Sequence, residues 1–184
     1  MFKFVFKNGD TLEMKGIKYL EANSEETYCF NANVYLNGKK VIEVSNDGHG
    51  GANREYPTEA FGYGGLRDIE KRCREEMPKW TMDHFVDPEN KTEHDTTFEH
   101  WCLSQVGDWL DEKHYKRQLS KKVFIVEKNE PNEIYEIKFL NKPKKIEKSH
   151  IVSARGLYPE ALILNDIPLN EAIAIFKNGG LLNA

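Results

Sequence analysis

Apolar and polar side chains alternate at the start of the chain, which is the pattern of a β-strand with one packed face. Phe2, Phe4 and Phe6 share one side of this strand, and lysines lie on the other. The sequence Asn-Gly-Asp at 8–10 predicts a turn, because asparagine and glycine tolerate the positive φ of tight turns. Residues 11–14 return along the first strand, so the beginning of the chain predicts a β-hairpin.

The clearest hairpin extends from residue 28 to residue 45. Its first strand has a more polar face and an apolar face that consists of Tyr28, Phe30, Ala32, Val34 and Leu36. Asn37-Gly38 supplies the turn, and residues 40–45 return. We therefore expect an antiparallel meander over residues 1–46, with one side packed and the other partly wet.

Apolar residues at steps of three and four predict helices. The first predicted helix ends at Pro78, and its apolar stripe consists of Leu66, Ile69, Cys73 and Met77. The last opens at Pro168 and ends at Gly179-Gly180, since proline suits the first turn of a helix and glycine the residue after its end. Residues 79–94 show no period, so we expect a loop there.

The longest predicted helix begins at Thr96 and extends to about Arg117. The sequence Thr-Thr-Phe-Glu at 96–99 fits a capping box, in which the first hydroxyl and the glutamate each accept a hydrogen bond from a free backbone amide. The apolar stripe of this helix consists of Phe98, Trp101, Cys102, Gln105, Val106, Trp109 and Leu110. We expect this stripe to be the main helical contact to the sheet.

Strands return near the end of the chain. The runs 123–126 and 134–139 flank a turn-rich segment and predict a third hairpin, and 161–164 predicts a short strand. The order of elements predicts an α+β fold, in which two to three helices pack on antiparallel β-hairpins. We expect one α+β domain over 1–184, and a smaller C-terminal subdomain from about residue 121 is the alternative.

Composition places the chain among globular proteins. Its 184 residues are 39% hydrophobic, and 10 Phe, 8 Tyr and 3 Trp supply enough apolar surface for a core. No apolar run is long enough for a transmembrane helix or a signal peptide, so the cytoplasm is the expected location. Cysteines at positions 29, 73 and 102 are too widely spaced for a disulfide framework, and we expect buried thiols.

The net charge of −4 conceals a strong polarity along the chain. Residues 1–112 hold 13 Lys and Arg against 22 Asp and Glu, whereas residues 113–148 hold 11 against 5. An acidic body beside a basic segment suits a charged partner, and the alternative is two separately solvated faces.

The sequence lacks a nucleophile elbow, a Cys-x-x-Cys pair, a His-Glu-x-x-His zinc motif and a P-loop. We therefore expect no catalytic residue, no metal and no cofactor. The glycine-rich segment 46–65 remains, and long connections of this kind are often functional. Its Asp-Gly-His-Gly-Gly sequence at 47–51 predicts either a rigid turn or a contact surface.

Two further patterns each have a structural and a functional interpretation. Gly62-x-Gly64-Gly65 lies just ahead of the first predicted helix, where it predicts a plain loop or an anion site that Arg67 would test. His94-Asp95 is similar to the dyad of metal-dependent HD phosphohydrolases, but that family is helical, and these residues also suit a helix cap. The acids and imidazoles near this pair are Asp83, His84 and Asp87.

Charged residues supply the candidate binding sites. We expect partner binding at Asp47, His49, Glu55, Glu59 and Arg67, with Glu21, Glu25 and Glu26 as further carboxylates to mutate. Nucleic acid is expected to contact Lys121, Lys122, Lys142, Lys144 and Lys145. A solvated lysine-rich face is the alternative interpretation of the second set.

A resemblance supports one class of function. The strand and turn at 33–41, followed by Ser-Asn-Asp-Gly-His-Gly-Gly at 45–51, resemble a signature of small phage and mobile-element proteins. The following helix with Trp101-Cys102 and Trp109-Leu110, then a lysine-rich strand, is similar too, so the resemblance covers about residues 28–127. Some proteins of this type are counter-defence inhibitors, including anti-CRISPR proteins that bind an RNA-guided nuclease. The resemblance implies that class and no catalytic residue.

Two functions therefore follow from the sequence. The first is a non-enzymatic, cytoplasmic inhibitor that binds a host defence nuclease or its ribonucleoprotein through charged surface and the 46–65 segment. The second is an enzyme or binding domain for a nucleotide or nucleic acid, with Asp47, His49 and Arg67 at its site. An accessory domain of a larger assembly is a third, less specific option.

Overall fold

The computed structural model describes residues 3–81 and 92–180, and it has the α+β fold that the sequence predicts. Contacts divide the chain into two units, Met1–Trp109 and Leu110–Ala184. The boundary lies inside the helix that begins at Phe98, upstream of the residue 121 at which a subdomain was considered. In the described ranges, no helix is long and apolar enough to cross a membrane.

The first unit is built on a five-stranded antiparallel meander. Its strands, in spatial as well as chain order, are β1 (Lys3–Val5), β2 (Thr11–Tyr19), β3 (Phe30–Leu36), β4 (Lys39–Asn46) and β5 (Arg54–Pro57). The meander predicted for residues 1–46 is therefore confirmed, and β5 adds an edge strand inside the segment that was expected to be irregular.

The predicted turn of the second hairpin is confirmed, and so are its predicted faces within β3, but Tyr28 was expected on the apolar face and instead lies before the strand, 38% exposed. Asn37 and Gly38 both have positive φ, at 50° and 77°, as a two-residue turn between twisted strands requires. Phe30 and Val34 are fully buried, whereas Asn31 between them points to the exposed face. One side of the meander thus supplies core residues, and the other is wet.

The first predicted helix, α1 (Gly62–Glu76), begins four residues earlier than its apolar stripe. Gly62 donates its amide to the carbonyl of Thr58 at 2.8 Å, which starts the helix within the glycine-rich sequence. The ring of Phe61 lies 2.7 Å from the place of a Cβ at Gly65, so a larger residue there would have to displace this ring. The glycines are thus part of the first helical turn, and the prediction of a loop at these residues is wrong.

Residues 79–94 are not wholly loop, because β6 (Trp80–Thr81) pairs with β7 (Glu93–His94). The long helix α2 (Phe98–Leu119) follows, close to its predicted bounds. Its predicted stripe supplies buried side chains, which are Phe98, Trp101, Cys102, Gln105 and Val106.

The capping box predicted at the start of α2 is wrong, because the hydrogen bonds there join other partners. Thr97, rather than Thr96, accepts the amide of His100, at 3.0 Å. Glu99 accepts the amide of Asn53 at 2.7 Å instead of turning back on its own helix. The free amide of Phe98 is bound by Glu70 of α1 at 2.8 Å, so tertiary contacts replace the local motif.

The second unit combines a three-stranded antiparallel sheet with two further helices. Its elements after α2 are β8 (Val123–Val126), β9 (Tyr135–Ile137), α3 (Lys148–Leu157), β10 (Leu162–Ile163) and α4 (Leu169–Asn178). The sheet order β10-β8-β9 confirms the third hairpin and the short strand. The last helix is also confirmed, with Gly179 left-handed at its end.

Helix α3 was not predicted from the sequence. Its first turn is closed by Glu147 and His150, whose side chains each accept the other's backbone amide. Ala154 is fully buried against Val123 and Ile125 of β8, which fixes this short helix on the sheet.

Candidate functional site

The glycine-rich loop after β4 is organised around a buried asparagine. Asn46 is 5% exposed, and its carbonyl oxygen accepts the Thr27 hydroxyl at 2.8 Å and the Gly48 amide at 2.9 Å. Its amide group donates to Gly51 O and to the side chain of Asn53, both at 3.2 Å. One side chain therefore fixes both ends of the loop, so the loop is a rigid turn.

The Gly48 backbone completes that turn. Its carbonyl accepts three successive amides, from Glu25, Glu26 and Thr27, at 3.0 to 3.2 Å. Gly48 has φ +90°, and a Cβ there would lie 1.9 Å from the carbonyl oxygen of Asn23. Glycine at this position is thus required twice, by the backbone conformation and by the close approach of the Asn23 backbone, which lies in the short 3-10 turn between β2 and β3.

Charged side chains project from the turn. Asp47 accepts the amide of His49 and binds the guanidinium of Arg54, and these two contacts hold the pKa of the Asp47 carboxyl below its usual range. The Nδ1 atom of His49 lies 3.4 Å from a carboxylate oxygen of Glu25. The structure therefore brings Asp47, His49 and Glu25 together at one exposed rim.

The other residues expected to bind a partner lie on other elements of the first unit. Glu59 is in the exposed turn before α1, and Arg67 is exposed on α1. In the described part of the chain, no hydrogen bond or ion pair joins Arg67 to Asp47 or His49. Glu55 is on β5, with its side chain half-buried.

Burial of Glu55 alters its titration. Desolvation, with the charges of Glu70 and Glu99 added, raises the pKa of Glu55 to about 7. Glu70 itself binds Arg74 at 2.6 Å, so the carboxylate group that Glu55 faces is partly neutralised. Protonation of Glu55 is therefore expected to change the stability of the first unit near neutral pH. The place of Glu55 in a glycine-rich segment did not indicate this role.

Replacing Glu55 with glutamine is expected to flatten the dependence of stability on pH. The folded protein holds the Glu55 proton more tightly than the unfolded chain, so the protonated side chain contributes to stability. This contribution to the free energy of unfolding is complete below about pH 4.5 and lost above about pH 7. We expect Glu55→Gln to be more stable than the parent at pH 8 by about 1 kcal/mol, after discounting for partial exposure, and equal to it at pH 4. Urea unfolding across this range measures it, with the exposed Glu75→Gln as control; an unchanged slope in Glu55→Gln would contradict the assignment.

The basic segment forms a groove of about 390 Å³ in the second unit. Four lysines line it, together with Phe139 and Pro143 on its apolar surface: Lys121, Lys122, Lys138 and Lys142. Lys142 is placed by a tight turn, in which its φ is 40° and its amide donates to Phe139 O at 3.1 Å. Lys138 was missing from the predicted set, although alternation along the strand that follows Tyr135 could have indicated it.

Only part of this positive charge is neutralised inside the groove. Lys122 binds Glu136 at 2.6 Å. Lys121, Lys138 and Lys142 have no ion-pair partner among the residues described. Of the remaining predicted lysines, Lys144 and Lys145 lie in an exposed bend just after the groove.

The histidine and aspartate cluster is only partly covered by the structure. Asp83, His84 and Asp87 lie outside the described residues. His94 packs its ring on Trp80, with 4.9 Å between ring centroids, and Asp95 lies 3.7 Å from the ammonium of Lys79. Within residues 3–81 and 92–180, no group of three histidines, cysteines or carboxylates is placed to hold a metal ion.

The cysteines are free, as predicted. Cys73 and Cys102 are fully buried on α1 and α2, and Cys29 is half-buried. Burial raises the pKa of the Cys73 thiol to about 12 and raises that of Cys102 as well. These two thiols therefore behave as small apolar side chains.

Comparison with models of protein families, with curated proteins and with solved structures gave no match to this chain.

Proposed function

We propose that this protein is a non-enzymatic counter-defence inhibitor that binds a host defence nuclease in its nucleic-acid-bound form. The supporting observation is the lysine groove, in which three lysines that have no ion-pair partner among the described residues line one cavity of the second unit. Clustered cations of this kind bind phosphate groups and release the counterions around them. A guide RNA or target strand held by a nuclease presents such phosphates.

The division of charge between the two units supports a composite target. The first unit, residues 1–109, holds 13 Lys and Arg against 20 Asp and Glu. The second, residues 110–184, holds 13 against 10. A nuclease with bound nucleic acid has both a basic channel and phosphates, so each unit would meet the opposite charge.

The rigid turn at 46–51 fits the same proposal. Its glycines and its buried asparagine bind the loop to itself and to residues 25–27, while Asp47 and His49 remain at the surface. A preorganised loop loses little conformational entropy when a partner binds it. We therefore place Asp47 and His49 in the interface with the nuclease.

The proposal is tested by DNA cleavage with a purified, guide-loaded CRISPR nuclease and increasing amounts of this protein. We expect cleavage to stop near one inhibitor per nuclease. Combined replacement of Lys121, Lys138 and Lys142 by glutamine should weaken inhibition by about tenfold and lower the salt slope of binding by about 2. The control is Lys128→Gln, an exposed lysine of the same unit that does not line the groove.

A pull-down of the tagged protein from lysates that express defence systems identifies the target. It is done with and without prior digestion of the nucleic acids in the lysate by a non-specific nuclease. A stoichiometric defence nuclease that is lost after digestion of nucleic acid supports the proposal. It is contradicted if no defence nuclease is recovered and cleavage proceeds at full rate with inhibitor in excess.

A further inference from the structure

A second cavity, of about 420 Å³, lies beside the rigid turn in the first unit. Its walls are the end of β2, the segment before β3 and one residue of α2, namely Tyr19, Ser24, Glu25, Glu26, Thr27, Tyr28 and Leu103. We call this cavity the tyrosine–glutamate hollow. It combines two phenol rings with two carboxylates, a composition different from that of the lysine groove.

The two rings have a defined arrangement. Tyr19 and Tyr28 meet edge to face, with ring centroids 6.1 Å apart and planes at 78°. The hydroxyl of Tyr28 lies 3.5 Å from the place of a Cβ at Gly107, so the ring rests on α2 where that helix has no side chain. Tyr28 is nevertheless 38% exposed. The hollow therefore offers a π-face that is positioned by packing but open to a ligand.

The carboxylates at the hollow have no lysine or arginine partner among the residues that the structure describes. Across residues 3–81 and 92–180, no lysine or arginine lies within ion-pair distance of Glu25 or Glu26, and the imidazole of His49 is the sole basic group near Glu25. Glu26 packs its carboxylate against Gly50, within 2.5 Å of the place of a Cβ. The shape of the turn thus holds negative charge at the hollow instead of neutralising it.

Aromatic faces and carboxylates in one hollow attract the same class of ligand. The quadrupole of a phenol ring attracts a cation above its face, and a carboxylate attracts it by charge and hydrogen bonding. We infer that the tyrosine–glutamate hollow binds a cationic side chain, arginine above all, from a basic segment of a partner protein. This inference rests on the proposed function, since it names what the acidic unit recognises on the nuclease.

Arginine fits the hollow better than lysine for a geometric reason. Its planar guanidinium stacks on an aromatic ring and presents several N–H donors in a fixed fork, so it can meet a ring and a carboxylate together. The ammonium of lysine is a compact charge that is more strongly hydrated. A preference for arginine peptides over lysine peptides therefore distinguishes a shaped site from general attraction to acidic surface.

The test is fluorescence anisotropy of the purified, full-length protein with two labelled nonapeptides, one alternating Arg and Gly and the other alternating Lys and Gly. We expect the arginine peptide to bind about fivefold more tightly than the lysine peptide. Glu25→Gln combined with Glu26→Gln should weaken arginine-peptide binding by about tenfold, and Tyr28→Leu by about fivefold. Tyr28→Phe keeps the ring and should bind like the parent.

A charge-matched control distinguishes specific binding in the hollow from general electrostatic attraction to an acidic surface. Glu75→Gln combined with Asp68→Asn removes the same charge from exposed positions of α1 outside the hollow and should change binding by less than about twofold. Equal weakening in this control, or no preference for arginine, would overturn the inference. The chain must stay folded in each variant, which far-UV circular dichroism checks.

The outcome is separable from that of the proposed function. If the hollow binds the arginine peptide but the protein leaves nuclease cleavage unchanged, the binding site is supported and the proposed inhibitor function is contradicted. Conversely, full inhibition by Glu25→Gln/Glu26→Gln supports the inhibitor and overturns the role of the hollow.

Discussion

Gly48→Ala is expected to lower the free energy of unfolding of the first unit by about 4 kcal/mol. The added Cβ would lie 1.9 Å from the carbonyl oxygen of Asn23 and 2.9 Å from the Cβ of Cys29. Moving the backbone to relieve this clash would break the bonds from three successive amides to the Gly48 carbonyl. Each amide left without a partner in a closed turn adds to the cost.

Urea unfolding followed by tryptophan fluorescence measures this loss, because Trp101 is buried in the same unit. The matched control is Gly51→Ala, where φ is +86° but no atom lies within 4 Å of the place of a Cβ. That variant has only the left-handed backbone to accommodate, a cost of about 1 kcal/mol. Equal losses in the two variants would show that close approach at Gly48 contributes nothing.

The second large effect is expected at Asn165 in the other unit. Its side-chain oxygen accepts the amide of Phe124 at 3.0 Å, and its amide group donates to the carbonyls of Leu119 and Lys122, both at 2.8 Å. One side chain thus connects the end of α2 to the beginning of β8. Replacing Asn165 with alanine leaves three backbone groups without partners, so we expect a loss of about 3 kcal/mol.

Amide hydrogen exchange read by mass spectrometry localises this second loss. Peptides that cover residues 119–126 should exchange faster in Asn165→Ala, whereas peptides from β3 and β4 should not change. Asn141→Ala, which alters an exposed asparagine of the same unit, is the control. Unchanged exchange over 119–126 would contradict the role of Asn165 as the connecting residue.

The elements that sequence patterns predicted are those whose formation depends on local signals. The alternation of Phe30 and Val34 with polar residues determined the buried face of β3, and Asn37-Gly38 determined its turn. The stripe around Trp101 similarly located α2. In each case side-chain periodicity and a turn residue indicate the same structure, and packing does not oppose them.

The elements that were missed depend on neighbours far along the chain. Strand β5 contains four residues and ends in proline, and it forms because β4 offers a free edge for pairing. Helix α3 contains serine and glycine with little periodicity, and the burial of Ala154 stabilises it. Likewise, Glu70 satisfies the amide at the start of α2, which a local capping motif could not reveal.

Sequence patterns predicted which charged residues belong to the candidate sites, but not which of them lie together in the fold. Sequence patterns identified Lys121, Lys122 and Lys142, and the turn at 139–142 is what brings them to one groove with Lys138. They also identified Glu25 as a carboxylate to mutate. Its place beside Tyr28 depends on the bond between residues 25–27 and the Gly48 carbonyl, a contact between segments 21 to 23 positions apart.

The different burial of the three cysteines makes the native protein ready for site-selective labelling. Maleimides react with thiolates, and burial keeps Cys73 and Cys102 protonated and out of reach at neutral pH. Cys29 is half-buried, and its Cβ lies 2.9 Å from the place of a Cβ at Gly48. A dye or spin probe attached through Cys29 would therefore sit next to the rigid turn and report on its contacts without any engineered residue.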